Sequence, residues 1–554
     1  MQTARRLYLY LLAGIGLGVL VAGVSLLLTT LFQALGLDAG YEISGGQAVR
    51  ERLTLATAMS AVALPVWLIH WFLAERGVRP GRPDADVERS SAVRGLYFAL
   101  VLGGLLIAMF VSAGGLVEYS VRWLVGDAPG FHDPAGDLGR LIAAAVAWVY
   151  HVQVRIRDWR IGSISGAGAW LPRAYLYLAA IAGLFFLLFG VADLLTLVSR
   201  LVIGAPDPVF DSGQAWWSYP LAAALSRVII GAVAWTGHWW YANRLWSDTT
   251  DRGAVERPAR LRFAYYVAVL VVAAAAAIGY LGQGLSGVLD AAFGTLDSDD
   301  RVLAELIATL LAAALFASAW RIHAGWLRAA AGEPGGPGPA VGERLVAYPT
   351  AIVGLAFGAV GIGRLLGQLF ETLVGAGQVV VGGRLALEIV ADFVPYGLLG
   401  IGVWLWQWSR VTRARGADPI GEGASTVRRA ALLLVLAASV LAGVAALGTI
   451  LYQLFGTLFG VNPQGDLGVP LGALITALTV AAYHGQLLRH DAGAREAAAA
   501  PLAAGGSTTA SAAELPLVLV APAGTDPVEL ARVRRGLEEQ LPDGYRLRDD
   551  RRMS

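Results

Sequence analysis

The chain has 554 residues, of which 56% are hydrophobic and 15% are charged, and its formal net charge is +1. Because soluble domains have about 25% charged residues, this composition excludes an ordinary soluble domain and indicates a protein that lies mostly in lipid. The chain has no cysteine, and none of its 42 basic residues is lysine. Disulfides, thiolate metal sites, cysteine nucleophiles and lysine Schiff bases are therefore excluded. The net charge does not point to a partner, and no nucleic-acid ligand is expected.

Apolar stretches of about 20 residues, long enough to cross a bilayer, recur from Leu7 to Leu488 in one repeated pattern. Each unit opens on an arginine, usually with a tyrosine nearby, as in "RRLYLY" and "RGLYFAL". The first helix then continues for roughly 30 residues to a glycine, where a polar loop begins. The opening arginines are Arg6, Arg94, Arg173, Arg262, Arg344 and Arg429. The closing glycines are Gly36, Gly126, Gly204, Gly294, Gly375 and Gly460.

A second apolar helix follows each loop and carries a Trp-x-x-His motif near its end, as in "AWVYHVQVR" and "AWRIHAGWLR". The fifth unit has Gln407 in place of the histidine, and the sixth has Ala481 in place of the tryptophan. Two markers that agree across six units indicate a repeat architecture. The motif residues are Trp67, His70, Trp148, His151, Trp235, His238, Trp320, His323, Trp404 and His484.

These markers predict an all-α integral membrane protein with twelve transmembrane helices, arranged as six tandem two-helix hairpins. Because every hairpin returns the chain to the side on which it began, all six have the same orientation. A flexible linker rich in alanine and small polar residues and a small cytoplasmic tail with an α/β-like pattern are predicted to follow. The predicted ranges are 5–76, 94–160, 173–246, 260–328, 344–413 and 428–490 for hairpins 1 to 6, 491–513 for the linker and 514–554 for the tail.

The charges of the loops predict the orientation of the hairpins. Connectors between hairpins are rich in arginine, as in Arg76, Arg79 and Arg82, whereas loops within hairpins lean acidic, as in Asp127 and Asp133. Arginine-rich connectors lie on the cytoplasmic side by the positive-inside rule. We therefore predict a multi-pass protein of the inner cell membrane with both termini in the cytoplasm.

The arginine–tyrosine opening and the Trp-x-x-His closing resemble a bacterial membrane family known as domain of unknown function 5671. The resemblance covers residues 5–490, and hairpins 5 and 6 depart from it at Gln407 and Ala481. It implies a membrane protein built from tandem repeats and brings no activity that can be carried over.

The Trp-x-x-His motifs, which we treat as one candidate layer, have two interpretations. His70 lies five residues before Glu75, hence roughly 7 Å inside the helix end, at the depth of interfacial aromatic residues. A histidine bonded to a tyrosine hydroxyl or to a backbone carbonyl would fasten the two ends of a hairpin together. A ring of neutral imidazoles would instead bind haem, a metal ion or a quinone headgroup, but one histidine per hairpin spreads such ligands apart. The tyrosines expected at this level are Tyr8, Tyr97, Tyr177, Tyr265 and Tyr348.

A polar stripe in the outer half of the first helices is the second candidate feature. Charged residues recur there at two positions that are seven residues apart, on nearly the same helix face. Charges at membrane depth usually face the protein interior and pair there. An ion-paired ring between repeats and the vestibule of a solute pathway would both produce the stripe, with Arg122 and Arg200 facing acidic residues of other hairpins. The stripe consists of Arg122, Asp193, Arg200, Asp290, Arg364 and Glu371.

Motifs for nucleotide binding, zinc proteolysis and serine hydrolysis are absent from the sequence, so no enzymatic activity, cofactor or metal is predicted. The first functional hypothesis is a membrane scaffold or sensor that engages the lipid bilayer, or a cytoplasmic protein partner through its C-terminal tail. The alternatives are a channel or transporter for a small solute or ion, and a haem- or quinone-binding redox protein. Midplane positions dominated by Ala, Gly, Leu and Val favour the scaffold, because transporters place polar groups or broken helices there.

Overall fold

The structure of the chain is a computed structural model that describes residues 2–37, 46–127, 133–161, 164–205, 216–248, 260–294, 299–374, 382–459 and 467–504. The chain divides into two compact units, Met1–Arg495 and Glu496–Ser554. The contacts discussed below all lie within the first unit. The predicted tail at 514–554, and the predicted linker beyond residue 504, lie outside the described residues.

Long helices account for most of the described residues, and they contain between 28 and 38 residues each. They are α1 (Gln2–Ala34), α2 (Gly46–Gly77), α3 (Ala92–Leu124), α4 (Pro134–Ile161), α5 (Gly166–Ile203), α6 (Ser218–Trp246), α7 (Arg260–Ala292), α8 (Asp299–Gly332), α9 (Pro339–Val374), α10 (Gly382–Ala417), α11 (Thr426–Leu458) and α12 (Gly468–Ala504). Two five-residue helices, Ala85–Arg89 and Pro419–Gly423, precede α3 and α11.

Eleven of the long helices in the described ranges are long and apolar enough to cross a membrane. The exception is α4, because its composition is more polar and includes Asp137, Arg155 and Asp158. These three side chains are buried against neighbouring helices. Over the described residues, a helical fold with many apolar helices of membrane-spanning length is therefore confirmed, whereas a twelfth span at α4 stays a prediction.

The closing glycines end the first helices for a stereochemical reason. Gly204 has a φ angle of 77°, and its amide donates to the carbonyl of Arg200. This left-handed conformation is readily adopted by glycine and is common just after helix ends. Positive φ angles are also found at Gly36, Gly126 and Gly294. The two remaining glycines of the pattern, Gly375 and Gly460, lie outside the described residues.

The long helices pack in one pattern that is repeated along the chain. Within the predicted hairpins, α1 contacts α2, α3 contacts α4, α5 contacts α6, α7 contacts α8 and α9 contacts α10. Each first helix also contacts the second helix of the next hairpin, as α1 does with α4, α3 with α6, α5 with α8 and α7 with α10. The repeated pattern stacks consecutive hairpins side by side.

Glycines bring the helices of a pair into backbone contact. A Cβ atom built on Gly183 of α5 would lie 2.5 Å from the amide nitrogen of Trp235 on α6. A Cβ atom on Gly354 of α9 would lie 2.7 Å from the amide nitrogen of Trp404 on α10. Small residues allow this kind of close helix packing in membranes. The Trp-x-x-His motif is therefore held at a fixed height against the first helix of its own hairpin.

Burial rises from both ends of the first unit towards its middle. In the most apolar stretch of α7 and of α9, 50% of the residues are buried, compared with 11% in α2 and 22% in α11 and α12. Equivalent helices in a closed ring of repeats would be buried to similar extents, whereas a row leaves its terminal repeats exposed. The gradient therefore fits a row of hairpins with lipid on its outer faces.

The last helix differs from the prediction. α12 continues to Ala504, so the first part of the segment 491–513, which the sequence predicts as a flexible linker, is helical. The reason lies in its composition, because the run "AREAAAA" consists mostly of alanine, the residue with the highest helix propensity. The glycines and small polar residues that favour a linker begin only at Gly505.

Candidate functional site

Histidines of the Trp-x-x-His motifs use both ring nitrogens in hydrogen bonds. His151 on α4 is fully buried; its Nδ1 lies 2.7 Å from the carbonyl oxygen of Ala147, and its Nε2 lies 2.9 Å from the hydroxyl of Tyr97 on α3. Equivalent Nε2–hydroxyl contacts join His238 to Tyr175 at 3.0 Å, His323 to Tyr265 at 3.3 Å and His70 to Tyr8 at 3.4 Å. Each of these histidines therefore fastens the second helix of a hairpin to the first helix of the same hairpin.

The contacts determine the tautomer of these imidazoles. A carbonyl oxygen can only accept a hydrogen bond, so the Nδ1 of His151 carries the hydrogen and its Nε2 carries the lone pair. The hydroxyl of Tyr97 then donates to Nε2. A metal or haem iron binds an imidazole through that same lone pair. Ligand binding at these histidines would therefore require the tyrosine to be displaced.

Two tryptophans of the motif extend the bonds to the neighbouring hairpin. Trp148 of hairpin 2 donates its indole N–H to the hydroxyl of Tyr175 in hairpin 3, at 3.0 Å. Trp235 of hairpin 3 donates in the same way to Tyr265 in hairpin 4, at 3.1 Å. We call this set the tyrosine clip: a tyrosine hydroxyl, the indole that donates to it and the imidazole to which it donates. The clip joins two consecutive hairpins through polar atoms that are all hydrogen-bonded.

Hairpins 1 and 5 have modified versions of the clip. Trp67 packs beside Tyr97, but its indole does not donate to the hydroxyl of Tyr97 with the geometry seen for Trp148 and Trp235. In hairpin 5 the tyrosine and the histidine are both replaced. Val346 stands at the position of Tyr175, and the buried Gln407 stands at the position of His238. The indole of the preceding Trp320 finds a different acceptor, the hydroxyl of Thr350, at 3.0 Å.

Hairpin 6 lacks the tyrosine but keeps the histidine. Ala431 stands at the position of Tyr97 and Tyr265, three residues after the opening arginine. His484 is buried, and its Nδ1 bonds the carbonyl of Val480 at 2.8 Å as in the other copies. No hydrogen bond to its Nε2 is found among the described residues.

A buried arginine close to the clip is a site feature that the sequence analysis names only as a repeat marker. Arg94 on α3 is fully buried, and it donates to Asp158 on α4, to Glu75 on α2 and to the hydroxyl of Tyr10 on α1. Its Nε lies 3.0 Å from Asp158, and the contacts to Glu75 and Tyr10 are 2.8 Å each. One guanidinium thus joins four helices, and we call this set the arginine clamp.

The arginine clamp recurs in the last four helices. Arg428 on α11 donates to Asp491 on α12 at 2.7 Å and to the hydroxyl of Tyr348 on α9 at 3.0 Å. Arg415 lies 3.0 Å from the second carboxylate oxygen of Asp491. This contact changes the predicted alignment of hairpin 6. Arg428 occupies the buried position that is equivalent to Arg94, whereas the sequence pattern pointed to Arg429.

In the middle four helices the equivalent Arg262 has a different set of partners. Ala330 stands at the position of Asp158, and Arg262 donates to the amide oxygen of Asn243 at 2.9 Å and to the hydroxyl of Tyr266 at 3.2 Å. Its guanidinium also lies 4.2 Å from the centre of the Trp246 ring, a distance at which a cation–π contact stabilises the charge.

The sequence contains a signal for the clamp. An aspartate lies seven residues after the histidine at His151–Asp158 and again at His484–Asp491, which places both side chains on one helix face. From the sequence alone, Arg94 is only the arginine that opens hairpin 2 at the predicted cytoplasmic side. The structure shows instead that Arg94 is buried.

The charges of the outer stripe pair mainly with second helices or loops. Asp193 accepts from Arg227 on α6, Arg200 lies 3.3 Å from Glu305 on α8, and Arg122 lies 3.0 Å from Asp127. Arg364 lies 4.8 Å from the centre of the Phe393 ring. The predicted approach of Arg122 and Arg200 to Asp290 and Glu371 stays a prediction.

Asp127, which follows α3, links the outer end of hairpin 2 to the start of α6 in hairpin 3. Its carboxylate accepts from the hydroxyl of Ser218 at 2.5 Å and from the guanidinium of Arg122 at 3.0 Å. The hydrogen bond from Ser218, together with that from Arg122, lowers the pKa of Asp127 below its ordinary value. The carboxylate therefore stays ionised, and the link persists, at neutral pH.

These features define a class of protein: a multi-pass helical membrane protein whose repeats are fastened to each other by buried polar side chains. The chain belongs to the family described as "Domain of unknown function (DUF5671)", whose model matches residues 6–150, 173–319 and 344–510. Comparisons with curated proteins and with solved structures found no match. Within the described ranges, no group of three or more His, Asp or Glu side chains is arranged to hold a metal ion.

Each matched segment covers most of two hairpins, so the family unit contains four helices. We refer to α1–α4 as copy 1, α5–α8 as copy 2 and α9–α12 as copy 3. The structure has the same period, because the buried clamp arginines lie in the second hairpin of each copy. A tryptophan follows the histidine position only in the first hairpin of each copy, at Trp71, Trp239 and Trp408.

Proposed function

We propose that the protein is a non-enzymatic membrane scaffold or sensor. Its twelve long helices then span the inner cell membrane as six hairpins of the same orientation, with both termini in the cytoplasm. In this arrangement the clips and clamps lie at the cytoplasmic face, where they hold the connectors in a fixed array. The connectors and the C-terminal tail present that array to a lipid surface or a cytoplasmic protein partner.

One observation carries the proposal: the imidazoles of His70, His151, His238 and His323 bond to a tyrosine and to a backbone carbonyl at the same time. A histidine used for catalysis, proton transfer or metal binding needs a nitrogen that is free to exchange partners. These four have none, so a fastening role fits them better than a chemical one. Haem or metal ligation would first have to break the clip.

The backbone contacts between helices favour a scaffold over a solute pathway. Gly361 of α9 faces Gly397 of α10 so closely that a Cβ atom on Gly361 would lie 2.5 Å from the Cα of Gly397. A Cβ atom on Gly400 of α10 would collide with the amide nitrogen of Gly358 on α9. Contacts of this kind fill the space between helices at mid-height, where transporters place substrate sites.

The ion pairs of the outer stripe support the alternative, a channel or transporter. Asp193 and Arg227 form an ion pair although their side chains are 40% and 44% exposed. Exposed charges on membrane helices are often found where helices line a water-filled cavity. The two functions predict different effects of the same substitutions, so a pair of measurements separates them.

The experiment compares thermal stability with ion flux in liposomes for Asp193→Asn and Glu371→Gln. A scaffold should show no specific flux, and Asp193→Asn should lower the melting temperature only slightly, because it leaves Arg227 without its carboxylate partner in a half-exposed ion pair. Adding Arg227→Gln to Asp193→Asn should then restore part of the loss. Flux that is clear in the wild type and abolished by Glu371→Gln at an unchanged melting temperature would refute the scaffold.

The orientation is tested separately with reporter fusions. A fusion after Gly126 should report the periplasmic side, and a fusion after Arg160 the cytoplasmic side. The opposite result at either position would overturn the proposed topology, including the span assigned to α4.

A further inference from the structure

Copy 3 contains an incomplete tyrosine clip with a cavity at the place of the missing ring. In copies 1 and 2 the rings of Tyr97 and Tyr265 stack on a tryptophan, with centroids 5.1 and 4.5 Å from those of Trp71 and Trp239. In copy 3 the tyrosine is replaced by Ala431. A small cavity lies there, lined by residues that include Ala431, His484, Trp404 and Trp408.

Two polar atoms around this cavity have lost the partner that a tyrosine hydroxyl supplies in copy 2. The indole nitrogen of Trp404 is buried without a hydrogen-bond partner among the described residues, whereas the equivalent Trp235 donates to Tyr265. His484 is only 2% exposed, and no bond to its Nε2 is found in the described part of the chain. Both residues line the cavity, and together they offer one donor and one acceptor where copy 2 has a tyrosine hydroxyl. A buried polar atom without a partner is unfavourable, so a ligand that satisfies both atoms would be stabilised.

The hydrogen-bonding properties of the Trp404 indole nitrogen and the His484 Nε2 indicate which kind of ligand would fit. A hydroxyl group can accept from the indole of Trp404 and donate to Nε2 of His484 at the same time, as the hydroxyl of Tyr265 does between Trp235 and His323. The remaining walls are apolar, with Ile352, Leu355 and Val435 among them. We propose that copy 3 binds a hydroxylated aromatic ring, a phenol or a hydroquinone headgroup, in the place that a tyrosine side chain fills in copies 1 and 2.

The slot is partly closed in this structure, and one side chain accounts for the closure. The cavity measures about 10 Å³, the space of a single water-sized sphere. The ring of Trp404 stacks on Trp408 with centroids 6.0 Å apart, whereas in copy 2 it is Tyr265 that stacks on the equivalent Trp239. A ligand ring enters when Trp404 turns away from Trp408 towards the orientation of Trp235. Since Ile352, Leu355 and Trp404 are only half-buried, the slot reaches the lipid-facing surface at this side.

The test uses the full chain in detergent micelles and p-cresol, which is the tyrosine side chain as a free molecule. We expect p-cresol to raise the melting temperature of the wild type in a saturable way. Toluene, which has the same ring without the hydroxyl, should bind at least tenfold more weakly, because it leaves Trp404 and His484 without partners. A second ligand, 4-octylphenol, distinguishes two sources of the natural ligand. It should bind more tightly than p-cresol if the natural ligand enters the slot from the lipid, and less tightly if the natural ligand is a free phenol.

Ala431→Tyr is the matched control, because it restores the residue that copies 1 and 2 have. It should raise the melting temperature above that of the wild type and abolish the effect of p-cresol. If Ala431→Tyr does not fold, Ala431→Leu fills the slot without a hydroxyl and should also abolish the effect. The indole N–H resonance of Trp404, assigned with Trp404→Phe, should shift on p-cresol binding in the wild type only. An equal response to p-cresol in the filled variants, or a wild-type cavity that takes only water, would overturn the proposal.

Discussion

The buried hydroxyl of Tyr97 illustrates how single atoms hold the repeats together. We expect Tyr97→Phe to lower the free energy of unfolding by about 1–3 kcal/mol, because it leaves Nε2 of the buried His151 without a donor. Tyr8→Phe is the matched control, since Tyr8 is 57% exposed and its hydroxyl lies 3.4 Å from His70. The loss there should stay below about 0.5 kcal/mol. Equilibrium unfolding in mixed micelles measures both, and equal losses would contradict the clip.

The clamp residue Asp158 should be more sensitive than any member of the clip. Its carboxylate and the guanidinium of Arg94 are both fully buried, so Asp158→Asn leaves a buried positive charge with only Glu75 to balance it. We expect a loss of about 3–5 kcal/mol. Asp86→Asn is the control, because the side chain of Asp86 is 77% exposed and its pairing with Arg89 contributes little. A loss below 1 kcal/mol for Asp158→Asn would show that Glu75 alone compensates Arg94.

The sequence predicted the kinds of hydrogen bond that the motif histidines make, but it did not predict all of their tyrosine partners. The expectation that a histidine bonds to a tyrosine or a carbonyl follows from the chemistry of a buried imidazole. The sequence does not tell whether Tyr175 or Tyr177 bonds to His238. Residues two apart on a helix point to different sides, so only one of the two can reach the histidine. Only the rotation of α5 relative to α6 decides which tyrosine meets the histidine, and that rotation depends on packing by residues such as Gly183.

Glycines on α6 provide a test of helix packing within one element. A Cβ atom on Gly231 would collide with the amide nitrogen of Leu187 and lie 2.7 Å from the carbonyl oxygen of Gly183. Gly231→Ala should therefore push α6 away from α5 and destabilise the protein by about 1–3 kcal/mol. Gly237→Ala on the same helix meets nothing within 4 Å and should be neutral or stabilising by up to about 1 kcal/mol. Thermal unfolding of the two variants checks the contrast, and similar melting temperatures would refute the close contact.

Element-scale features were predictable where the pattern is repeated and local. Helix ends at Gly36, Gly126, Gly204 and Gly294 follow from the stereochemistry of glycine and agree with the structure. The span at α4 is harder, because hydropathy alone cannot distinguish a solvated charge from one, such as Asp158, that is buried against another helix. The helical start of the linker was missed because small polar residues further along dominated its composition.

Burial along the first unit makes a prediction for the whole array. If hairpins form a row, each contacts only its neighbours, and local stability should follow the number of neighbours. Hydrogen exchange in lipid nanodiscs should then be slowest in α7 and α9, where 50% of the most apolar stretch is buried, and faster in α2 and α11, where 11% and 22% are buried. Equal protection in these four helices would mean that the hairpins close into a ring, which would also restore a central pathway as a basis for transport. A gradient would support an open array, in which any solute would have to pass between helices that are in backbone contact.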